Sequence, residues 1–530
     1  MSKIIAALRK FASESGDSTA LHGDVSSVSY REMLAAIDAI AAEIGAQGIE
    51  RVGLAADNGP EWIIVDLACQ CAGVPLIPLP AFFTPQQLSH AVDSSGVDAL
   101  FSDQSGFGVT GKTLFGSRFS ESSQPFSGLS TIKAYRVMSA AIDRVPLPDD
   151  TAKITYTSGS TGNPKGVCLS VAAQYATAMA LNDALKAMPL SRHLAVLPLA
   201  TLLENVAGVY SALLRGAEVM LPSLATLGWS GSSGLDIQGL ASILTITKPD
   251  SAVLLPQILK GLIACRDEGQ WQAPSSLQFL AVGGARVAPE LIARARLFGL
   301  PVYEGYGLSE CGSVVCVNSP GADKPGSAGK VLPHCSVRIV DGEVMVAGNA
   351  YQGYLQLDTG ASERAEVATG DLGELDDDGF LWLRGRSKNL LVSSYGRNIS
   401  PEWPESELSA LPSILQCMVI GDAQPYCGAF IYPAAGLSRE QINREISRCN
   451  AVLPDYAQIR RWVALPKPFT TADGLLTANG RLRRQDILAH YDDLVTACFS
   501  DVIDPQSVNL TLAISSSTAA DIADIDLVRE

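Results

Sequence analysis

The stretch Tyr156-Thr157-Ser158-Gly159-Ser160-Thr161-Gly162-Asn163-Pro164-Lys165-Gly166-Val167 gathers hydroxyl and glycyl positions ahead of a single lysine. Such a run makes poor secondary structure and a good anion cradle. Glycines let backbone N–H groups approach an anion, hydroxyls donate hydrogen bonds, and Lys165 adds a point charge. Residues 152–156 read as a strand, so the loop leaves a sheet edge. It is not a P-loop of the form G-x-x-x-x-G-K-S/T, because Gly166 follows Lys165 where a metal-binding hydroxyl would stand. Further segments of the same character follow: Val282-Gly283-Gly284-Ala285, Tyr303-Glu304-Gly305-Tyr306-Gly307-Leu308-Ser309-Glu310 and Thr369-Gly370-Asp371. After them come Gly385-Arg386-Ser387-Lys388-Asn389 and Asn479-Gly480-Arg481-Leu482-Arg483-Arg484. The mostly apolar run 277–282 ahead of Gly283 reads as a strand whose end opens a pocket floor.

Taken in this order, the segments resemble the adenylate-forming superfamily of acyl-CoA synthetases, luciferases and peptide-synthetase adenylation domains. The similarity is greatest to long-chain fatty acyl-CoA synthetases. The family pattern Ser/Thr-Ser-Gly-Ser/Thr-Thr-Gly-x-Pro-Lys-Gly-Val matches residues 157–167 throughout, and the resemblance covers roughly residues 15–495. It implies an enzyme that joins a carboxylic acid to ATP with Mg²⁺, releasing pyrophosphate, and then passes the acyl group from the adenylate to a thiol. That thiol is CoA or the phosphopantetheine of an acyl carrier protein. The resemblance places Thr157, Ser158, Gly159, Ser160, Thr161, Gly162 and Lys165 on the phosphates. It places Gly283, Gly284, Ala285 and Glu304 among the nucleotide-binding residues, Tyr306 against the adenine face with Gly305 and Gly307 allowing close approach, Asp371 on the ribose hydroxyls and Arg386 on ribose or phosphate. Thr161 and Glu310 would hold Mg²⁺ through the oxygen ligands that hard ion prefers. Lys165, Thr161, Glu310 and Arg481 form the implied catalytic set, and Thr201, Gly283 and Gly307 border the acyl pocket. Lys388 marks the hinge of a rotating small domain, and Gly396 and Arg397 the channel for the thiol arm.

Two positions depart from the family. Its Asn-Gly-Lys lysine, which bridges carboxylate and α-phosphate, is Arg481 here. A guanidinium keeps the charge and donates in a planar fork, unlike a compact ammonium. The alternatives are an enzyme adapted to arginine and a catalytically impaired homologue that binds nucleotide or acyl groups. In the segment 197–204, similar to L-P-L-x-H-x-x-E, Thr201 replaces histidine. Residues 199–205 contain no aspartate that would pair with a substrate amine. An uncompensated ammonium in an apolar pocket is costly, so a fatty or otherwise apolar acid is expected.

These residues need a scaffold. A chain of 530 residues exceeds one ordinary core, so at least two domains are expected. We read an α/β fold: a large N-terminal domain (1–386) of parallel-rich sheets layered with helices, and a small mobile α+β domain (387–505). The Ser-, Ala- and Asp-rich residues 506–530 read as a flexible acidic tail. Helices are expected at 30–44, capped by Ser29, and at about 60–71 and 256–265, with strands at 52–55 and 252–255. Asp378-Gly379 predicts a hairpin, and Ser400-Pro401 the cap and first turn of a helix. A net charge of −16 argues against nucleic-acid binding. Eleven cysteines without C-x-x-C spacing fit a reducing cytoplasm better than a disulfide framework, with Cys69 and Cys71 expected in a core helix. The apolar window 63–83 is broken by Asp66, Gln70 and prolines, so no transmembrane segment is expected, while peripheral membrane contact is left open.

Overall fold

A computed structural model describes residues 2–103, 119–121, 126–137, 145–157, 164–230, 234–355, 366–477 and 480–499. Local signals set many of its elements. Ser29 and Glu32 form a reciprocal capping box at the start of the helix Tyr30–Ala46, which buries Ile37, Ile40 and Ile44. Pro60 occupies the first turn of Pro60–Ala72, and Gly73 ends that helix at φ 71°. Cys69 is buried there but Cys71 faces outward, so only one of the pair joins the core.

Among the described residues the strands form two large sheets. The centre of the first is parallel: Val302–Leu308, Phe279–Val282, Ser251–Leu254, Arg192–Leu194, Glu218–Met220 and Thr19–His22. Its edges, Ser313–Val317, Lys330–Val331 and Ser27–Ser29, run antiparallel. The second sheet has the parallel centre Thr151–Thr157, Leu76–Pro78, Val52–Ala55 and Ala99–Ser102, again with antiparallel edges. The four strands Ser336–Val340, Glu343–Ala347, Glu366–Leu375 and Leu381–Arg386 make a wholly antiparallel sheet. The expected Asp378-Gly379 turn joins its last two strands, with Gly379 N–H donating to Asp376 O at 3.0 Å.

After Arg386 and the short turn Ser387–Asn389, a small lobe has its own core around Leu408, Ile431, Ile446 and Trp462. A three-stranded sheet, Ile414–Ile420, Cys427–Pro433 and Ile459–Ala464, carries the helices Glu402–Ala410 and Arg439–Val452. Ser400 does not cap the first of these as expected; the helix starts after Pro401, and the Ser400 hydroxyl donates to Glu402 at 2.8 Å. No helix of the described residues is long and apolar enough to cross a membrane.

Candidate active site

The C-terminal ends of the parallel strands, where α/β sheets open their binding crevices, meet the small lobe around one cavity of about 1210 Å³. Gly283 and Gly284 stand at the end of Phe279–Val282, and Gly305, Tyr306 and Gly307 lie on the next strand. Gly307 must be glycine for space, since a Cβ would sit 1.7 Å from the Ser313 carbonyl oxygen. From the second sheet, Thr157 and Lys165 reach the wall at the two ends of the phosphate-type loop. Ser158, Gly159, Ser160, Thr161 and Gly162 lie outside the described residues.

Charge gathers at the mouth shared with the small lobe. Asp371 itself stands just behind the wall, where its carboxylate accepts from Tyr306 Oη at 2.7 Å and Arg386 Nε at 2.8 Å. Burial and the adjacent Asp371 push the Tyr306 phenol far up, so it stays a donor. Arg481 follows Gly480, which takes φ 74°, and its Nη2 donates to Gly284 O at 3.3 Å. Solvent reaches Arg481 through the open cavity, while protein crowds it on its other sides. This desolvation, then Arg386, lowers its pKa, with Asp371 and Glu310 opposing. Lys388 also lines the cavity; desolvation and the charges of Arg386 and Arg481 pull its pKa below the ordinary lysine range. Four cations, Lys165, Arg386, Lys388 and Arg481, therefore face one space, a fit for a polyphosphate. Glu310, on the same wall, forms no ion pair among the described residues and offers hard carboxylate oxygens.

From this mouth an apolar arm runs back toward the N-terminal ends of the strands, lined by Leu181, Leu185, Leu190, Phe279, Val314 and Val317. One wall is the π-helix Leu203–Tyr210 with Ala207 and Gly208. Its winding lets one segment hold partners on different sides. Glu204 Oε1 pairs with His193 Nε2 at 3.0 Å, while Oε2 accepts from the N–H groups of Val196 and Leu197 at 3.0 and 2.8 Å. Asn205 and Tyr210 face a buried ion pair of Lys153 Nζ with Asp66 at 3.0 Å, Tyr210 Oη donating to Asp66 at 2.6 Å. Thr201 lines the cavity, its hydroxyl turned to Pro198 O at 2.8 Å.

Some expected site residues fall elsewhere. Glu304 is buried and does not line the cavity, while its neighbour Tyr303 stacks on Phe279. Burial raises its carboxyl to about 8, with the Val287 N–H and Arg286 recovering part of that cost. Ala285 is exposed on a bend off the cavity wall. Gly396 and Arg397 form a turn of the small lobe, with Gly396 N–H on Ser393 O at 2.8 Å, and do not line the cavity in this arrangement. Asp57 and Tyr354 are among the wall residues that sequence reasoning missed. Asp57 comes from the loop after Val52–Ala55, and its Oδ1 accepts from Asn58 and Leu224 N–H at 2.7 and 3.0 Å. Tyr354 donates to Glu310 Oε1 at 2.8 Å.

Comparison with known proteins gives this geometry a context. The AMP-binding enzyme family matches residues 8–357, and the AMP-binding enzyme C-terminal domain matches residues 388–502. The chain is 26% identical to a long-chain-fatty-acid–CoA ligase of Mycobacterium bovis, over 86% of this chain and 89% of that one. It is 28% identical to the 2-succinylbenzoate–CoA ligase of Bacillus velezensis, over 82% of this chain and 86% of the other. Its fold resembles that of the anthranilate CoA ligase AuaEII solved with anthranoyl-AMP, with a TM-score of 0.77, 20% identity, and coverage of 93% and 98%. The chain belongs to the AMP-binding enzyme family and is an AMP-forming acid–thiol ligase of the adenylate-forming superfamily.

Proposed function

We propose that the acid is an apolar monocarboxylic acid of the fatty type, activated with ATP and Mg²⁺ and transferred to CoA. The arm carries this reading, because its walls are apolar and its two arginines are engaged. Arg192 pairs with Glu218 at 3.0 Å, and Arg215 caps a helix end by donating to the carbonyls of Leu185 and Met188, both at 3.1 Å. Neither is free to meet a second carboxylate, which separates the arm from what a dicarboxylic acid needs.

In this reading a carboxylate oxygen attacks the α-phosphorus, forming one P–O bond as the α–β bond breaks and pyrophosphate leaves. The thiol sulfur then attacks the acyl carbon, AMP departs and the thiol proton passes to solvent. The protein's share is alignment and charge neutralisation. Lys165 meets the outer phosphates, and Tyr306 lies against the adenine between two glycines. Asp371 takes the ribose hydroxyls, Arg386 steadies the sugar or phosphate, and Arg481 bridges the reacting oxygens. Glu310 would hold Mg²⁺, which would neutralise phosphate charge there. Lys388, between the lobes, is the pivot that brings the Gly396–Arg397 turn to the cavity for the thiol step.

Pyrophosphate release should be screened over fatty, aromatic, dicarboxylic and amino acids with ATP and Mg²⁺, then thioester formation with CoA and with a phosphopantetheinyl carrier protein. Apolar monocarboxylic acids and CoA are expected to lead. Release confined to amino acids, which would implicate Asp57, or to dicarboxylic acids overturns the reading. Arg481→Ala should lower ATP–pyrophosphate exchange by about 100-fold or more, the scale of losing one preorganised donor. Unchanged exchange would remove Arg481 from the catalytic set.

A further inference from the structure

We propose that Tyr354 is a positioning residue that keeps the Lys165 ammonium and the Glu310 carboxylate from pairing with each other, leaving both available to a nucleotide. The inference rests on the nucleotide reading of those two residues. Both line the cavity, and both touch the same phenol: Lys165 Nζ lies 5.5 Å from the ring centroid, and the hydroxyl donates to Glu310 Oε1 at 2.8 Å. A ring face is a weak, readily surrendered resting place for a cation, unlike a carboxylate. Two opposite charges on one wall would otherwise close into an ion pair that a nucleotide must first break.

The phenol is held from both sides. Gly353–Tyr354 pairs antiparallel with Lys165–Ser170, Tyr354 opposite Val167, and Leu355 N–H donates to Gly166 O at 2.8 Å. Tyr351 N–H donates to Glu310 O at 2.7 Å, and the Tyr351 ring meets that of Tyr354 edge-on at 4.8 Å. The segment thus joins the strand that begins at Lys165 to the turn that carries Glu310.

The test is binding of ATP without metal, measured by titration calorimetry, in Tyr354→Phe, Glu310→Gln and the double variant. Tyr354→Phe keeps the ring and frees the carboxylate, so Glu310 closes on Lys165. Affinity should fall about 3- to 10-fold, as for forming a partly exposed ion pair. The double variant should bind as Glu310→Gln alone does, because no carboxylate is left to compete. Wild-type affinity in Tyr354→Phe, or a loss that persists in the double variant, overturns the proposal. A wild-type protein that binds no ATP would overturn the nucleotide reading and this proposal together, a result distinct from either of those.

Discussion

Glu304 sits on the strand that floors the cavity, 7% exposed, and its Oε2 has no hydrogen-bond partner among the described residues. In the unfolded chain its carboxyl titrates near 4.5; in the folded protein burial raises it to about 8. Between those values the folded state binds more protons, so stability falls as pH rises through that window. At about 1.4 kcal/mol for each pH unit, the penalty is about 4–5 kcal/mol once pH exceeds 8, and nothing below about 4.5. Glu304→Gln removes the ionisation and supplies, through its amide, the donor that the protonated carboxyl provides. Urea unfolding should find the variant within about 1 kcal/mol of wild type at pH 5. At pH 8.5 it should be more stable by about 2–4 kcal/mol, allowing for relaxation around the wild-type charge. A variant with the same advantage at both pH values, or less stable at pH 8.5, would refute the argument.

Two other substitutions test the frame of the arm. Gly208→Ala would put a Cβ 2.2 Å from Glu204 Oε1 and 2.6 Å from His193 Nε2, breaking that pair. A loss of about 2–4 kcal/mol is expected in chemical denaturation, and an unchanged midpoint would contradict it. Asp66→Ala leaves the buried Lys153 ammonium without its carboxylate and should cost about 3–5 kcal/mol. Adding Lys153→Met should recover much of that loss, and no recovery would mean that Asp66 acts otherwise.

Local rules made the skeleton legible. The capping box at Ser29, Pro60 and the Asp378-Gly379 turn are decided by a few adjacent residues, and the structure carries all three. Glycines at a strand end likewise mark where a chain opens onto a cavity, as at Gly283 and Gly284. Glu304 lies off the cavity wall although Gly305 and Tyr306 beside it line that wall, and a motif read as a unit does not separate them. Ser400 resembled a cap in composition but found its partner at Glu402, which moved the helix start past Pro401. Asp57 and Tyr354 reach the wall from segments distant in sequence. Only tertiary packing brings them there, and no spacing along the chain announces it.

The wide-turned span Leu203–Tyr210 carries its own hereditary constraint. Removing one residue would restore ordinary helical winding and better backbone geometry, and because the tighter turn sweeps more angle per residue, the two flanks would keep nearly their present facing. Glu204 and Tyr210 would keep His193 and Asp66, while Ala207 and Gly208 between them would be re-spaced along the wall. Segment length, rather than composition alone, is what descendants and designers must conserve: a shorter copy would be the sturdier helix and the poorer wall.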